Sequence, residues 1–248
     1  MLLAGLLLLA GGVASPLGVS KVEPQSEPPL PLDEIVRRFA EKEQEYARAH
    51  ALYRYQLSVK IQEIGEDNRV VGEFEQDSEV DFDPSGRRRA RLRANPRTDL
   101  LHLGITRVEL DDLEWVPLFI LAPKEIPDYE ITYLARERLD EVDTYLFRLE
   151  PRHPPRVGER FFEGIVWVDA GKLDIVRAHG RSLPGPAERG ALRGYFQRLE
   201  IFRQPVDAYL FPTYVRADDV VAVNKKPIRA RLLLRFTNHE RVRQPAPR

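Results

Sequence analysis

The sequence predicts a mainly β (α+β) protein built on a curled antiparallel sheet, with helical segments laid over one of its faces. Three observations carry that prediction. Apolar residues alternate with polar ones over several separate stretches, the signature of half-buried strands. Residues 161–181, FFEGIVWVDAGKLDIVRAHGR, read as a hairpin of two strands rich in β-branched and aromatic residues, turned at Asp169-Ala170-Gly171-Lys172. Along the whole chain about nine or ten strands can be counted, more than a flat sheet can bury, so the sheet has to curl or close.

The 248 residues, 43% hydrophobic and 31% charged, suffice for one large or two small domains and fall outside the disordered and membrane-embedded classes. A net charge of -1 provides no basic field, so nucleic acid is not an expected partner. Residues 1–14, MLLAGLLLLAGGVA, form a short apolar run with small residues at Gly12 and Ala14 and are expected to be a signal peptide, too short to span a bilayer. The absence of cysteine removes any lipid-attachment site and any disulfide framework; the expectation is a periplasmic protein that is not itself a lipoprotein. Five prolines within residues 15–31 predict an extended linker. Residues 32–240 are expected to form a single domain and 241–248 a flexible tail.

Taken in order, Asp33 offers an N-cap to a helix reaching His50, with Ile35, Val36, Phe39, Ala40, Tyr46 and Ala47 on one face. The period switches to two at Tyr53, where Tyr53, Tyr55, Leu57, Val59 and Ile61 alternate with polar residues. A turn at residues 65–68 leads to a strand with Val70, Gly72, Phe74, Ser78, Val80 and Phe82 on one face and six acids on the other. The next strand sets Arg87, Arg89, Arg91 and Arg93 on one face and Arg88, Ala90, Leu92 and Ala94 opposite. A three-residue loop, Pro84-Ser85-Gly86, brings Asp83, Asp81, Glu79 and Asp77 opposite Arg87, Arg89, Arg91 and Arg93. A two-residue loop would set acids against apolar residues. The arginine run therefore reads as a cross-strand ladder and not as a nucleic-acid patch.

Alternation fails over residues 95–143. Thr106 and Glu109 form a capping box that opens a short helix, followed by the apolar run 115–121, which Pro117 and Pro123 keep from being one continuous helix. That segment is the lid candidate; a helix merely plugging the core would bury the same residues. Strands resume at 129–134 and 144–150 and, after the hairpin, at 196–202, 209–216 and 228–236. Residues 182–194 are expected to be a loop that either closes over an opening or joins strands.

Catalytic spacing is missing. The five histidines (His50, His102, His153, His179, His239) stand apart in sequence, which leaves no expected metal or cofactor, and neither a nucleophile elbow nor a phosphate loop is present. Asp111-Asp112 and Asp218-Asp219 diverge on any regular backbone, whereas Arg216 and Asp218 share a strand face and can pair. No enzyme is expected.

The pattern F-x-G-x-V-W-V-D (Phe162, Gly164, Val166 to Asp169) followed by D-I-V-R and a glycine, with the later Y-x-F-P-T-Y-x-R-A-D-D (Tyr209, Phe211 to Tyr214, Arg216 to Asp219), resembles the LolA-like class of outer-membrane lipoprotein-sorting proteins of the bacterial envelope. That resemblance implies an unclosed half-barrel with helices on its concave side as lid or plug. In the carriers of the class a hydrophobic cavity lies between sheet and helices. The residues expected to line such a cavity or its lid are Phe39, Tyr55, Leu57, Phe74, Leu92, Trp115, Leu118, Phe119, Trp167 and Phe211. The implied ligand is a lipid or lipoprotein acyl chain held without covalent chemistry. The alternative is a regulatory module of the same fold that binds a membrane-bound envelope partner and transports nothing.

Overall fold

The computed structural model describes residues 28–83, 85–107, 110, 120–186, 196 and 198–242. Among them are one α-helix, α1 (Leu32–His50), a 3₁₀ turn (Pro123–Asp128) and eleven strands: β1 (Tyr53–Ile64), β2 (Val70–Phe82), β3 (Arg88–Leu92), β4 (Arg97–Thr98), β5 (Tyr129–Leu139), β6 (Val142–Pro151), β7 (Arg160–Asp169), β8 (Ile175–Pro184), β9 (Leu199–Val206), β10 (Tyr209–Val223) and β11 (Lys226–Arg241). All lie in one antiparallel sheet of order β3-β2-β1-β11-β10-β9-β8-β7-β6-β5, with the short β4 paired to β2. Strands β3 and β5 are its two edges, so the sheet is open.

Contacts of α1 show that the sheet curls. The Phe39 ring packs on Phe147 of β6 at 5.6 Å, and His50 packs on Phe82 of β2 at 4.8 Å. Along the helix those residues are separated by about 16 Å. In a flat sheet β2 and β6 would stand about 34 Å apart. Bending the sheet around the helix closes that gap. The inner face carries one continuous apolar cluster in which Ile35, Val36, Phe39 and Ala40 of α1 meet Tyr55, Leu57, Val59 and Ile61 of β1, Val166 and Val168 of β7, and Leu232 and Leu234 of β11.

The expected Asp33 cap is corrected. The helix starts at Leu32, Pro31 precedes it without a side-chain cap, and the Ile35 N–H bonds the Pro31 carbonyl at 3.1 Å. Asp33 and Glu34 instead lie in the first turn, where the helix dipole favours negative charge. The β2–β3 register is as the three-residue loop required: Asp81 faces Arg89, Glu79 faces Arg91, and Gly86 adopts φ +79°. Pro84 lies outside the described residues. Strands are more numerous and longer than expected, eleven among the described residues. Residues 182–184, expected in a loop, continue β8; residues 187–195 lie outside the description.

The β7–β8 hairpin turns by a different route. Asp169 Oδ1 accepts the N–H groups of Gly171 (2.7 Å) and Lys172 (2.9 Å), and it is Leu173 that takes the left-handed conformation, with φ 58°. Positive φ at leucine costs about 1–2 kcal/mol. The Leu173 side chain is buried in the core, which offsets that cost by about 1.5–3 kcal/mol. Gly164 and Gly180 are paired across the hairpin, and the Phe162 ring covers both: a Cβ on Gly180 would stand 2.3 Å from the Glu163 carbonyl and 2.5 Å from Phe162 Cζ. This close approach is the physical content of the F-x-G pattern.

Two of the proposed cavity residues are displaced from the interior. Trp167 stands on the outer face of the sheet, because Val166 and Val168 on either side of it point inward. It belongs to a row that runs in register across five strands, Trp167, Arg177, Phe202, Tyr214 and Arg235. The Arg177 guanidinium lies 4.6 Å from the Trp167 ring and 5.3 Å from Phe202, and Trp167 Nε1 donates to Glu137 at 3.2 Å. Among the described residues the outer face of the hairpin is thus covered by side chains of neighbouring strands. Leu92 is 45% exposed at the end of the edge strand β3, beyond Ala90, which still packs against the core.

Candidate functional site in a cleft beside the helix

A cleft of about 370 Å³ opens between the C-terminal half of α1 and the segment that leads into the 3₁₀ turn. One wall is Glu43, Gln44, Ala47 and Arg48, which helical spacing places on a single face; the other is Ile120, Leu121, Ala122, Lys124 and Glu125. The floor is largely apolar, and Ile120 and Leu121 continue from it into the main core cluster. Gln44, Arg48, Lys124 and Glu125 form a polar rim, with Arg48 donating to Gln44 Oε1 at 3.1 Å.

Both walls are anchored by polar groups. On the helix side, Glu43 and Arg203 of β9 form a buried bidentate ion pair, one arm of which spans 3.0 Å. Tyr46 stacks on the same guanidinium at 5.2 Å. Burial alone would lower the Arg203 pKa, but the Glu43 carboxylate outweighs it and raises it above the ordinary arginine value. On the other side, Glu125 accepts the Ala122 N–H at 2.9 Å, the Arg152 N–H bonds the Asp128 carbonyl at 2.7 Å, and Arg152 Nε bonds the Tyr129 carbonyl at 2.9 Å. His153 Nε2 lies 3.1 Å from Asp128 Oδ1. The backbone of Pro154 and the Asp128 carboxylate hold the His153 pKa above its usual value.

A third anchor fixes the stretch that precedes the segment expected to form the lid. The buried Glu63 carboxylate at the end of β1 accepts the N–H groups of Leu101 (3.1 Å), His102 (2.7 Å) and Leu103 (2.7 Å), and lies 3.1 Å from His102 Nδ1. Burial works to raise its pKa, yet these donors together hold it below the ordinary glutamate value.

Of the ten residues expected to line a cavity, Phe39, Tyr55, Leu57 and Phe74 are together in the main core cluster. Phe211 is buried in a separate cluster with Tyr46, Ala49 and Tyr53. Trp115, Leu118 and Phe119 lie outside the described residues, as does Glu109 of the expected capping box. Leu92 and Trp167 are placed as described above. None of those described lines the cleft. The pairing expected of Arg216 and Asp218 is present at 2.7 Å on the outer face, where Arg231 also reaches Asp218 at 2.7 Å.

No protein-family model matches the sequence, and no curated protein matches it either. Among solved structures the chain is similar to a DUF1329 family protein from Desulfovibrio piger (12% identity, TM-score 0.40, covering 85% of this chain and 93% of that one). It is also similar to a LolA superfamily protein from Nitrosomonas europaea (14% identity, TM-score 0.35, 87% and 95%) and to MucB (10% identity, TM-score 0.30, 83% and 92%). No helix among the described residues is long and apolar enough to cross a membrane.

Proposed function

We propose that this protein binds a lipophilic ligand, the acyl chain of a lipid or lipoprotein, without covalent chemistry and within the bacterial envelope, and that the cleft beside α1 is where the chain enters. The observation that supports this reading is the combination of an apolar floor, a polar rim and a volume of about 370 Å³, within the range of about 300–1,000 Å³ usual for small-molecule sites. Each methylene taken from water contributes about 0.8 kcal/mol, so half a dozen in the cleft supply about 5 kcal/mol without a polar anchor. The exported form then begins near Ser15.

One observation favours a second reading, an envelope interaction module with no transported ligand. The described part of the inner face is a continuous packed cluster, and a module that binds a protein partner needs no internal space. Titration with the apolar fluorophore N-phenyl-1-naphthylamine, with native mass spectrometry of protein purified from the envelope, separates the two. Saturable binding that Ala47→Asp weakens at least about tenfold, by placing a charge against the apolar floor, is expected of the carrier. If no lipid co-purifies and the fluorophore does not saturate, the interaction module is correct.

A further inference from the structure

The last turn of α1 ends in an aromatic cage. His50 is 4% exposed, and its ring meets Tyr46 at 5.6 Å, Tyr55 at 5.6 Å, Phe82 at 4.8 Å and Phe211 at 5.9 Å. His239 of β11 lies against two of the same rings, Tyr55 at 5.5 Å and Phe211 at 5.0 Å. Two imidazoles far apart in sequence therefore share one wall, contributed by β1 and β10.

Charged groups on three of the elements around the cage make a further positive charge unwelcome there. Arg88 of β3, Arg203 of β9 and His239 of β11 each oppose protonation of His50. Nearby carboxylates are engaged elsewhere: Glu43 of α1 with Arg203, Asp81 of β2 with Arg89 and Arg91, Asp207 with the Tyr53 hydroxyl, and Glu240 of β11 with Arg54. The dipole of α1 favours a cation at this end, but that attraction does not replace the hydration an imidazolium loses inside four rings. Burial, the largest cause, pushes the His50 pKa down to about 3 and also lowers that of His239.

Gln44, Ala47 and Arg48, which wall the cleft, precede His50 by less than two turns of the same helix. We propose that the His50–His239 cage is an acid-sensitive latch on the cleft: proton uptake drives the last turn of α1 out of the sheet and moves that wall. The coupling to ligand rests on the cleft being the ligand port. A caged imidazole gains a proton only by reaching water, so protonation and opening are one event. An opened ring regains a pKa near 6.5, so at pH 5 the open turn is favoured about 30-fold over its weight at neutral pH through His50 alone.

Hydrogen–deuterium exchange of amides 47–51 in the whole protein, corrected for intrinsic rates, tests the latch between pH 7.5 and pH 5. Wild-type protection should fall about 30-fold, whereas a His50→Phe/His239→Phe variant, which keeps the rings without the protons, should hold it. His50→Gln should also hold most of it and serves as a second variant if the phenylalanines disturb packing. Unchanged wild-type protection down to pH 5, or an equal loss in the double variant, overturns the latch. N-phenyl-1-naphthylamine bound at pH 7.5 and released at pH 5 by wild type alone supports coupling to the cleft. Binding that ignores pH while the turn opens overturns that coupling. A turn that opens in a protein that never binds the fluorophore leaves the latch standing and overturns the port.

Discussion

Charge is paired in two contrasting ways in this protein. On the outer face, Asp81 of β2 bonds Arg89 at 2.8 Å and Arg91 at 2.5 Å, both arginines being more than half exposed, and Lys60, Glu73, Glu75 and Arg97 form a similar group. Inside, Glu43 and Arg203 are paired with almost no exposure. Exposed pairs contribute about 0–1 kcal/mol each, because water screens them and their side chains lose freedom. A buried pair gains little over an apolar pair of the same shape, yet is costly to break because the remaining charge cannot reach water. The outer ladder thus sets register at little energetic stake, and the inner pair fixes the helix to the sheet at a high one.

The largest effect expected follows from that contrast. Arg203→Met leaves the Glu43 carboxylate buried and alone, and should cost about 3–5 kcal/mol in urea unfolding at pH 7. Adding Glu43→Leu should recover most of the loss; if the double variant is no more stable than the single, the pair is not the isolated unit that its geometry indicates.

Next in size is a pH effect. The folded pKa of His50, about 3, lies below its unfolded value. Its contribution is therefore fully present above about pH 6.5 and is lost as pH falls toward the folded value. Unfolding free energy should drop by about 2 kcal/mol between pH 7 and pH 5 on this account. Chemical denaturation of His50→Phe over the same window should show a correspondingly flatter profile.

A smaller loss, about 1.5 kcal/mol, is expected for Glu63→Gln, which replaces charge-assisted bonds to three backbone N–H groups by weaker ones. Because the folded pKa of Glu63 is lowered, its contribution is present above the ordinary glutamate range and disappears as pH falls through the folded value. Exchange at amides 101–103 should rise before any global unfolding does. The smallest effect belongs to the ladder: Asp81→Arg should cost up to about 1 kcal/mol, and adding Arg89→Asp should restore part of it. Strictly additive changes in melting temperature would show that the outer pairing contributes nothing beyond register.

How far these features were legible depended on whether a residue broke the pattern around it. The ladder was readable because the sign of charge alternates with the strand period and the three-residue loop admits one pairing. Strands β1 and β2 were readable from their alternation. Glu43, Glu63, Arg203 and His50 went unread, although each carries the same mark. Glu43 and His50 fall in the apolar stripe of α1, Glu63 continues the inward phase of Tyr53 to Ile61, and Arg203 continues that of Leu199 and Ile201. A polar residue in the apolar phase needs a buried partner, and that rule locates these residues without naming the partner. Trp167 was misplaced because a strand apolar on both sides does not say which face the helix covers. The cleft was invisible, since its walls come from segments about seventy residues apart that share no local signal.

The pairing of β1 with β11 has a consequence for synthesis. Every other adjacency along the main sheet path joins strands that are neighbours in sequence; this one joins the first strand to the last, so β1 to β3 and β5 to β10 form separate ribbons until the sixteen residues of β11 arrive between them. Neither ribbon can wrap α1 alone, because Phe39 needs β6 and His50 needs β2. The sheet therefore cannot close around α1 before β11 has been made, and folding waits on a pairing between strands from opposite ends of the domain.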